Sequence, residues 1–251
     1  FNQSKPSQQN NSSNNSSSSI PTPSNNSSSK PTASNNSSSK PTSSNNSSSS
    51  TPNTSSTPTP LPAPRLIVSC WGDSLTEGGD WDTLFKEWLP TGISVVNRGI
   101  VGDDAPGIYD RLHQILPGKP KKIFLLVGVN DISHQITSDS VLVDIEKVVK
   151  AIRSQCPKTK LYIQSLLPYN FEKCIYKTMN KQDKTHTIRR VNKGLRKMAR
   201  KYDLKYIYLY DYFKAPGSLH MDGQFTKDGL HINKAAYKIW ANALRKYVKK
   251  S

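Results

Sequence analysis

The sequence predicts an α/β domain built on a mainly parallel sheet with helices on both faces. Three observations predict it. From Arg65 onward, apolar runs of strand length alternate with stripes at helical spacing, five of each. Ile123-Phe124-Leu125-Leu126-Val127 is an unbroken apolar run, which suits a parallel strand covered on both faces. The conspicuous polar stretches all follow strands or precede the last helix, so they share one sheet edge, where open α/β sheets hold their ligands.

In order, Arg65–Trp71 is the first strand. Trp81, Leu84, Phe85, Trp88 and Leu89 have helical spacing, and Pro90 stops that helix. Ile93–Asn97 is the second strand. Asp103 and Asp104 can cap a helix with Pro106 in its first turn and a stripe of Ile108, Leu112, Ile115 and Leu116. Lys122–Gly128 holds the third strand. Ser140 caps a helix with Leu142, Ile145, Val148, Val149 and Ile152 inward. Leu161–Leu167 is the fourth strand, closed by Pro168. An irregular stretch from Tyr169 to about Lys184 leads into a helix with Ile188, Val191, Leu195 and Met198 on one face and Arg189, Arg190, Lys193, Arg196, Lys197 and Arg200 on the other. Tyr206–Tyr210 is the fifth strand, and a last helix runs from about Lys234 to Tyr247.

Residues 1–64 read differently. They are Ser, Asn, Pro and Thr with three lysines and no acid, and a ten-residue near-repeat begins at Pro21, Pro31 and Pro41. Such a text has almost nothing to bury, so it predicts a disordered linker rather than a solenoid. Asn-x-Ser/Thr patterns crowd it, as in Asn25-Asn26-Ser27, and none occurs from Arg65 on. We read it as a tether to a cell surface or another module, with 65–251 as the globular domain.

The chain carries a formal charge of +17; Lys5, Lys30 and Lys40 supply three of these, which leaves +14 on the domain. This balance favours acidic surroundings and bears on association rather than on fold. No nucleic-acid-binding motif accompanies it, so no nucleic acid partner is expected. Three cysteines, Cys70, Cys156 and Cys174, are too few for a disulfide framework and have no metal spacing, so neither metal nor cofactor is expected. Whether Cys156 pairs with Cys174 is open. No apolar run approaches the roughly 18 residues of a membrane span. The chain has no signal peptide and no initial Met, and reads as a mature or trimmed product that is secreted or held at a cell surface.

Four polar stretches carry the chemistry. Gly72-Asp73-Ser74-Leu75 turns sharply after the first strand and presents a hydroxyl, with the Ser74 N–H beside it. Asn97-Arg98-Gly99 offers a backbone N–H unobstructed by a side chain. Gly128-Val129-Asn130-Asp131 offers a side-chain amide. Asp228-Gly229-Leu230-His231 places a carboxylate three residues before an imidazole, within reach of fixing its tautomer. An ester cleaved through serine needs these parts: a nucleophile (Ser74), a base (His231), its orienter (Asp228) and oxyanion donors (Ser74, Gly99, Asn130). Asn97 supports the loop, and Asp73 and Asp131 hold turns. His113, His134, His186 and His220 read as surface or loop histidines, although His220 has Asp222 close by.

Taken in order, the four stretches resemble the blocks of the SGNH/GDSL hydrolase superfamily. The resemblance implies a flavodoxin-like three-layer α/β/α sandwich with five parallel strands, and serine esterase chemistry without a metal. It also implies that Asp228 and His231 act from one loop. The polar loops at Tyr169–Lys184 and Tyr212–Thr226 point to a short acyl group, most simply acetyl, on a carbohydrate. A lysophospholipase or other lipid acyl hydrolase is the alternative within the superfamily. A non-catalytic glycan- or anionic-surface-binding module is the alternative outside it.

Overall fold

A computed structural model describes residues 67–249; the linker expected over 1–64 lies outside these. Five parallel strands form one sheet in the order β2-β1-β3-β4-β5. They are β1 (Ile67–Gly72), β2 (Ser94–Gly99), β3 (Lys122–Leu126), β4 (Lys160–Gln164) and β5 (Lys205–Ile207). This is the flavodoxin-like order, whose switch point lies beside the first strand. Every residue of β3 is buried, as its apolar run requires. The end of β1 is central: Gly72 lies opposite Gly99 on one side and Leu126 on the other.

The helices are α1 (Ser74–Glu77), α2 (Trp81–Phe85), α3 (Ala105–Asp110), α4 (Val129–Ser133), α5 (Ser138–Gln155), α6 (Lys177–Asn180), α7 (Thr185–Lys201) and α8 (Lys234–Lys249). Helices α2 and α8 pack together on one face of the sheet, and α3, α5 and α7 pack in a row on the other. The three-layer sandwich follows. In the first layer Trp81 meets Trp240 edge to face with centroids 4.9 Å apart, and both rings are buried. Each indole N–H still finds an acceptor: Trp81 donates to the Thr76 carbonyl (2.7 Å) and Trp240 to Gln164 Oε1 (2.7 Å). Tyr237 of α8 donates to the Leu75 carbonyl at 2.8 Å, which ties the last helix to the turn that holds Ser74. Lys122 donates to the Tyr247 and Val248 carbonyls, satisfying groups that the end of α8 would leave orphaned.

Several element ends differ from the sequence reading, each for a local reason. The expected helix through Ile108, Leu112, Ile115 and Leu116 stops at Asp110 and continues as two 3₁₀ turns. Arg111 turns out of the helix there to reach the strand ends. The first helix likewise becomes a 3₁₀ turn after Phe85. Thr137, not Ser140, caps α5, its hydroxyl accepting the Ser140 N–H at 3.2 Å. Strand β4 ends at Gln164 because the Asn192 side chain takes both the N–H (2.7 Å) and the carbonyl (3.0 Å) of Leu166. Strand β5 ends at Ile207 because Ser165 Oγ accepts the N–H groups of Leu209 and Tyr210. Side chains thus replace the ladder at the carboxyl edge. Cys70, Cys156 and Cys174 are buried free thiols, which closes the question of a Cys156–Cys174 bridge.

Candidate active site

The site lies at the carboxyl ends of β1, β2 and β3. Asp73 leaves β1 in an extended conformation and caps α1, its Oδ1 accepting the Leu75 N–H at 2.9 Å. Ser74 is therefore the first residue of a helix, with its N–H outside the helical ladder. Gly72 must be small: a Cβ there would collide with the Leu126 carbonyl and Thr76 Oγ1.

From the far end of the chain, His231 Nε2 lies 2.8 Å from Ser74 Oγ. His231 Nδ1 lies 2.8 Å from Asp228 Oδ2. The loop carrying both is locally over-determined. Asp228 Oδ1 accepts the N–H groups of Leu230 (2.9 Å) and His231 (2.8 Å), and Thr226 Oγ1 accepts that of Gly229. Gly229 has φ +85°, and a Cβ there would strike the Cys174 backbone, so only glycine lets the two segments meet. The Asn170 N–H donates to Gly229 O and that of Ile175 to Asp228 O.

That contact brings in a residue the sequence reading passed over. Tyr176 Oη donates to Asp228 Oδ2 at 3.0 Å and lies 3.0 Å from His231 Nδ1, with its ring edge-on to the imidazole. Nothing in the text of an irregular loop marks this tyrosine; only the contact of 170–176 with 228–229 does. Burial alone would raise the Asp228 carboxyl. The hydrogen bonds from Leu230, the His231 ring and N–H, and Tyr176 outweigh it and hold the group down at about 2, so Asp228 is ionised at neutral pH.

The remaining stretches converge beside Ser74. Asn130 Nδ2 donates to the Asp103 carbonyl at 2.8 Å, which uses one of its two amide hydrogens. Asp131 accepts the Ala105 N–H. Together they clamp the 103–105 segment against α4. Arg111, also absent from the sequence reading, closes the other side. It pairs with Asp103 Oδ2 and donates to the carbonyls of Gly72 (3.3 Å) and Arg98 (2.8 Å).

The structure engages the Gly99 N–H elsewhere: it donates to Asn97 Oδ1 at 3.0 Å, and its Cα lies tight against the Glu77 backbone. Asn97 Nδ2 in turn donates to the carbonyls of Glu77 and Gly79, both at 2.9 Å, so Asn97 and Gly99 brace the turn after α1. Three residues on, Gly102 has φ +80° in a turn closed by Asp103 N–H to Ile100 O. Nothing crowds Gly102, and its N–H makes no hydrogen bond among the described residues.

Asp73 is fully buried, with Oδ2 unpartnered, and burial pushes its carboxyl up to about 7. The other histidines stand apart from Ser74. His220 pairs with Asp183 at 3.0 Å, not with Asp222, and His113 contacts the Asp110 carbonyl. His134 lies 3.8 Å from Asp104, and His186 is exposed on α7. A cleft of about 660 Å³ opens beside the site, lined by Gly78, Asp228, His231, Asn233, Lys234 and Tyr237. Ile100, Val101 and Ile175 are 48%, 71% and 66% exposed in the segments that frame it.

The profile of the GDSL-like Lipase/Acylhydrolase family matches residues 70–239, which contain all four motif stretches. No curated protein matches. Among solved structures, a Streptococcus pneumonia protein provisionally named a platelet activating factor is 27% identical, with a TM-score of 0.64 over 72% of this chain and 83% of its own. A GDSL-like lipase from Bacteroides thetaiotaomicron (19%, TM-score 0.63, 76% of this chain and 90% of that one) shares the fold. So does an acetyl xylan esterase (20%, TM-score 0.62, 73% of this chain and 100% of that one).

Proposed function

Since the chain belongs to the GDSL-like lipase/acylhydrolase family, we propose that it hydrolyses a carboxylic ester through an acyl-enzyme on Ser74, removing a short acyl group from a carbohydrate. The observation that carries this is the unbroken relay Asp228–His231–Ser74, with 2.8 Å at each step. Asp228 is an anion, so it holds the Nδ1–H tautomer of His231 and leaves Nε2 as the acceptor facing Ser74 Oγ. His231 takes the Ser74 proton as Oγ attacks the ester carbonyl. The tetrahedral oxyanion is met by the Ser74 N–H, the second amide hydrogen of Asn130 and, in place of Gly99, the N–H of Gly102. His231 then protonates the departing alcohol. Water enters, gives its proton to His231 and attacks the acyl carbonyl. Oγ leaves with that proton, and the acid is released.

A short acyl group and a sugar alcohol fit an open cleft whose walls carry Lys227, Asp228, Asn233 and Lys234 beside Ile232 and Tyr237. An acetyl xylan esterase shares the fold; at its identity the likeness is one of fold alone. The exposed Ile100, Val101 and Ile175 favour a second reading, a lipid ester whose chain would cover them. Hydrolysis of p-nitrophenyl esters from acetate to decanoate separates the two. Acetate is expected to be the best substrate, and Ser74→Ala is expected to lose at least about 10³-fold in kcat. A rate that climbs with chain length selects the lipid reading. Full activity in Ser74→Ala removes the acyl-enzyme.

A further inference from the structure

A second groove, of about 970 Å³, runs between α7 and the edge strand β5 and contains no residue of the relay. Arg189, Lys193, Arg196 and Arg200 line one wall, and Tyr206 and Tyr208 line the other. Strand β5 is three places from β1 in the sheet, so the groove lies roughly 14 Å across from the strand that presents Ser74. The four cations recur at three- and four-residue intervals along about 16 Å of helix.

A helix face that merely meets water does not need a single sign of charge. The exposed face of α5 mixes signs, and Asp144 and Glu146 pair with Lys147 and Lys150. Helix α7 contains no acidic residue. Among the described residues, none of Arg189, Arg190, Lys193, Arg196, Lys197 and Arg200 forms an ion pair. Arg189–Lys193, Lys193–Lys197 and Arg196–Arg200 are like-charge pairs four apart, an arrangement that disfavours a helix. No acidic side chain pairs with these six among the described residues. An anion along the groove would relieve their repulsion.

The opposite wall narrows the partner. Tyr206 is held by its hydroxyl on the Asn192 carbonyl, and Tyr208 stands beside it with centroids 6.3 Å apart. Tyr208 is 46% exposed and presents an apolar ring to solvent. Two acids border the groove: Asp211 is bonded to the Tyr208 hydroxyl and paired with Lys214, and Asp203 follows Arg200 at the end of α7, its N–H on the Arg200 carbonyl; neither lines the groove itself. A bilayer would need apolar anchors on a convex face, and none of the exposed aliphatic side chains Ile100, Val101, Ile136, Val143 and Ile175 lines this groove. Single-stranded nucleic acid would want a succession of stacking rings, and one is exposed here.

We infer that this groove binds an extended acidic polysaccharide, with carboxylates on the Arg and Lys wall and a sugar ring laid on Tyr208. The anion preference stands on the groove alone, whereas the choice of a glycan rests on the carbohydrate reading of the active site. Guanidinium forks suit carboxylates at several points along the chain. The groove would hold the enzyme on an acidic polymer while Ser74 works elsewhere on it.

Anisotropy of a labelled oligogalacturonate, titrated with the full chain at low salt, tests this. The triple variant Arg189→Gln/Arg196→Gln/Arg200→Gln is compared with the charge-matched Lys86→Gln/Lys158→Gln/Lys238→Gln, whose lysines are exposed elsewhere. The groove variant is expected to lose roughly tenfold in affinity and to show a shallower salt dependence, and the control to change less than about threefold. Both should hydrolyse p-nitrophenyl acetate like the wild type. Equal losses in the two triples would overturn the groove as a site. So would binding of neutral dextran as tight as that of oligogalacturonate. Tighter groove-dependent binding of oligo-dT or of phosphatidylglycerol vesicles would replace the glycan with that partner. Failure of the esterase reading shows separately, as absent ester turnover with groove-dependent binding intact.

Discussion

Tyr176 touches both members of the acid–base pair. It donates to Asp228 Oδ2, and its oxygen lies beside His231 Nδ1, where it can share the Nδ1–H when the ring carries a second proton. It is therefore a positioning residue for the imidazole. A hydrogen bond to a charged group contributes about 1.5–3 kcal/mol, so Tyr176→Phe is expected to lower kcat about tenfold or more with KM little changed. Loss of one of its donors also moves the Asp228 carboxyl upward from about 2, so the variant's stability profile should fall less than the wild type's as pH drops from about 4 to about 2. An unchanged kcat and profile would leave Tyr176 a packing residue. Asp73, on the other side of Ser74, makes a prediction about stability. Its folded carboxyl sits at about 7 against an ordinary 3.8. Between those values the folded state binds the proton and the unfolded chain has released it, so stability falls as pH rises from about 4 to about 7. Asp73→Asn removes that charge and should flatten this part of the urea-midpoint curve. Asp131, raised to about 6 by burial, keeps a slope of the same sign over the narrower range from about 4 to about 6. A curve as steep as wild type would refute the assignment to Asp73.

At the scale of elements, the catalytic edge is made where backbone ladders give way to side chains. Arg111 is the clearest case. It ends α3, and it holds the ends of β1 and β2 and the Asp103 segment in one place. Arg111→Met would leave Asp103 half-buried without its cation and two strand-end carbonyls without a donor. We expect a loss of about 3–5 kcal/mol in stability. At temperatures where the variant is still folded, kcat should fall while KM stays within a few fold, because the 100–103 turn loses its support. Chemical denaturation and steady-state kinetics on the same preparation check both. What the sequence disclosed follows the same division. Ile123–Val127 and the stripe of α5 are periodic, so burial dictated them and they were legible. The relay was legible because Asp228 and His231 are local and Ser74 follows a strand. Arg111, Tyr176 and the ends of β4 and β5 depend on contacts such as Asn192 to Leu166, 26 residues apart, which no local pattern carries. Gly99 and Gly102 show the limit within a motif. Both are glycines in one stretch, and only backbone conformation shows that the first packs against α1 while the second sits uncrowded at φ +80° with its N–H unshared among the described residues.

At the scale of the whole molecule, two features take no part in the relay: the cations of α7 from Arg189 to Arg200, which form no ion pair among the described residues, and the Ser/Asn/Pro/Thr-rich residues 1–64. The first and last strands, both helical layers and the complete relay lie within residues 67–249, and the family profile begins only at residue 70. Every hydrogen bond named above at the active site is made inside that span. A tether that positions the domain contributes effective concentration at a surface and nothing to the barrier of the chemical step. Deleting residues 1–63 should therefore leave kcat and KM for a soluble ester within about twofold and the denaturation midpoint unchanged. The removed segment carries Lys5, Lys30 and Lys40, so binding to an acidic glycan should weaken only slightly, with the dominant dependence remaining on Arg189, Arg196 and Arg200. A collapse of soluble-ester turnover in the truncated protein would mean that 1–63 completes the fold. Loss of most glycan affinity with turnover intact would move the binding site from α7 into the tail. Retention of both confines chemistry and glycan capture to the domain.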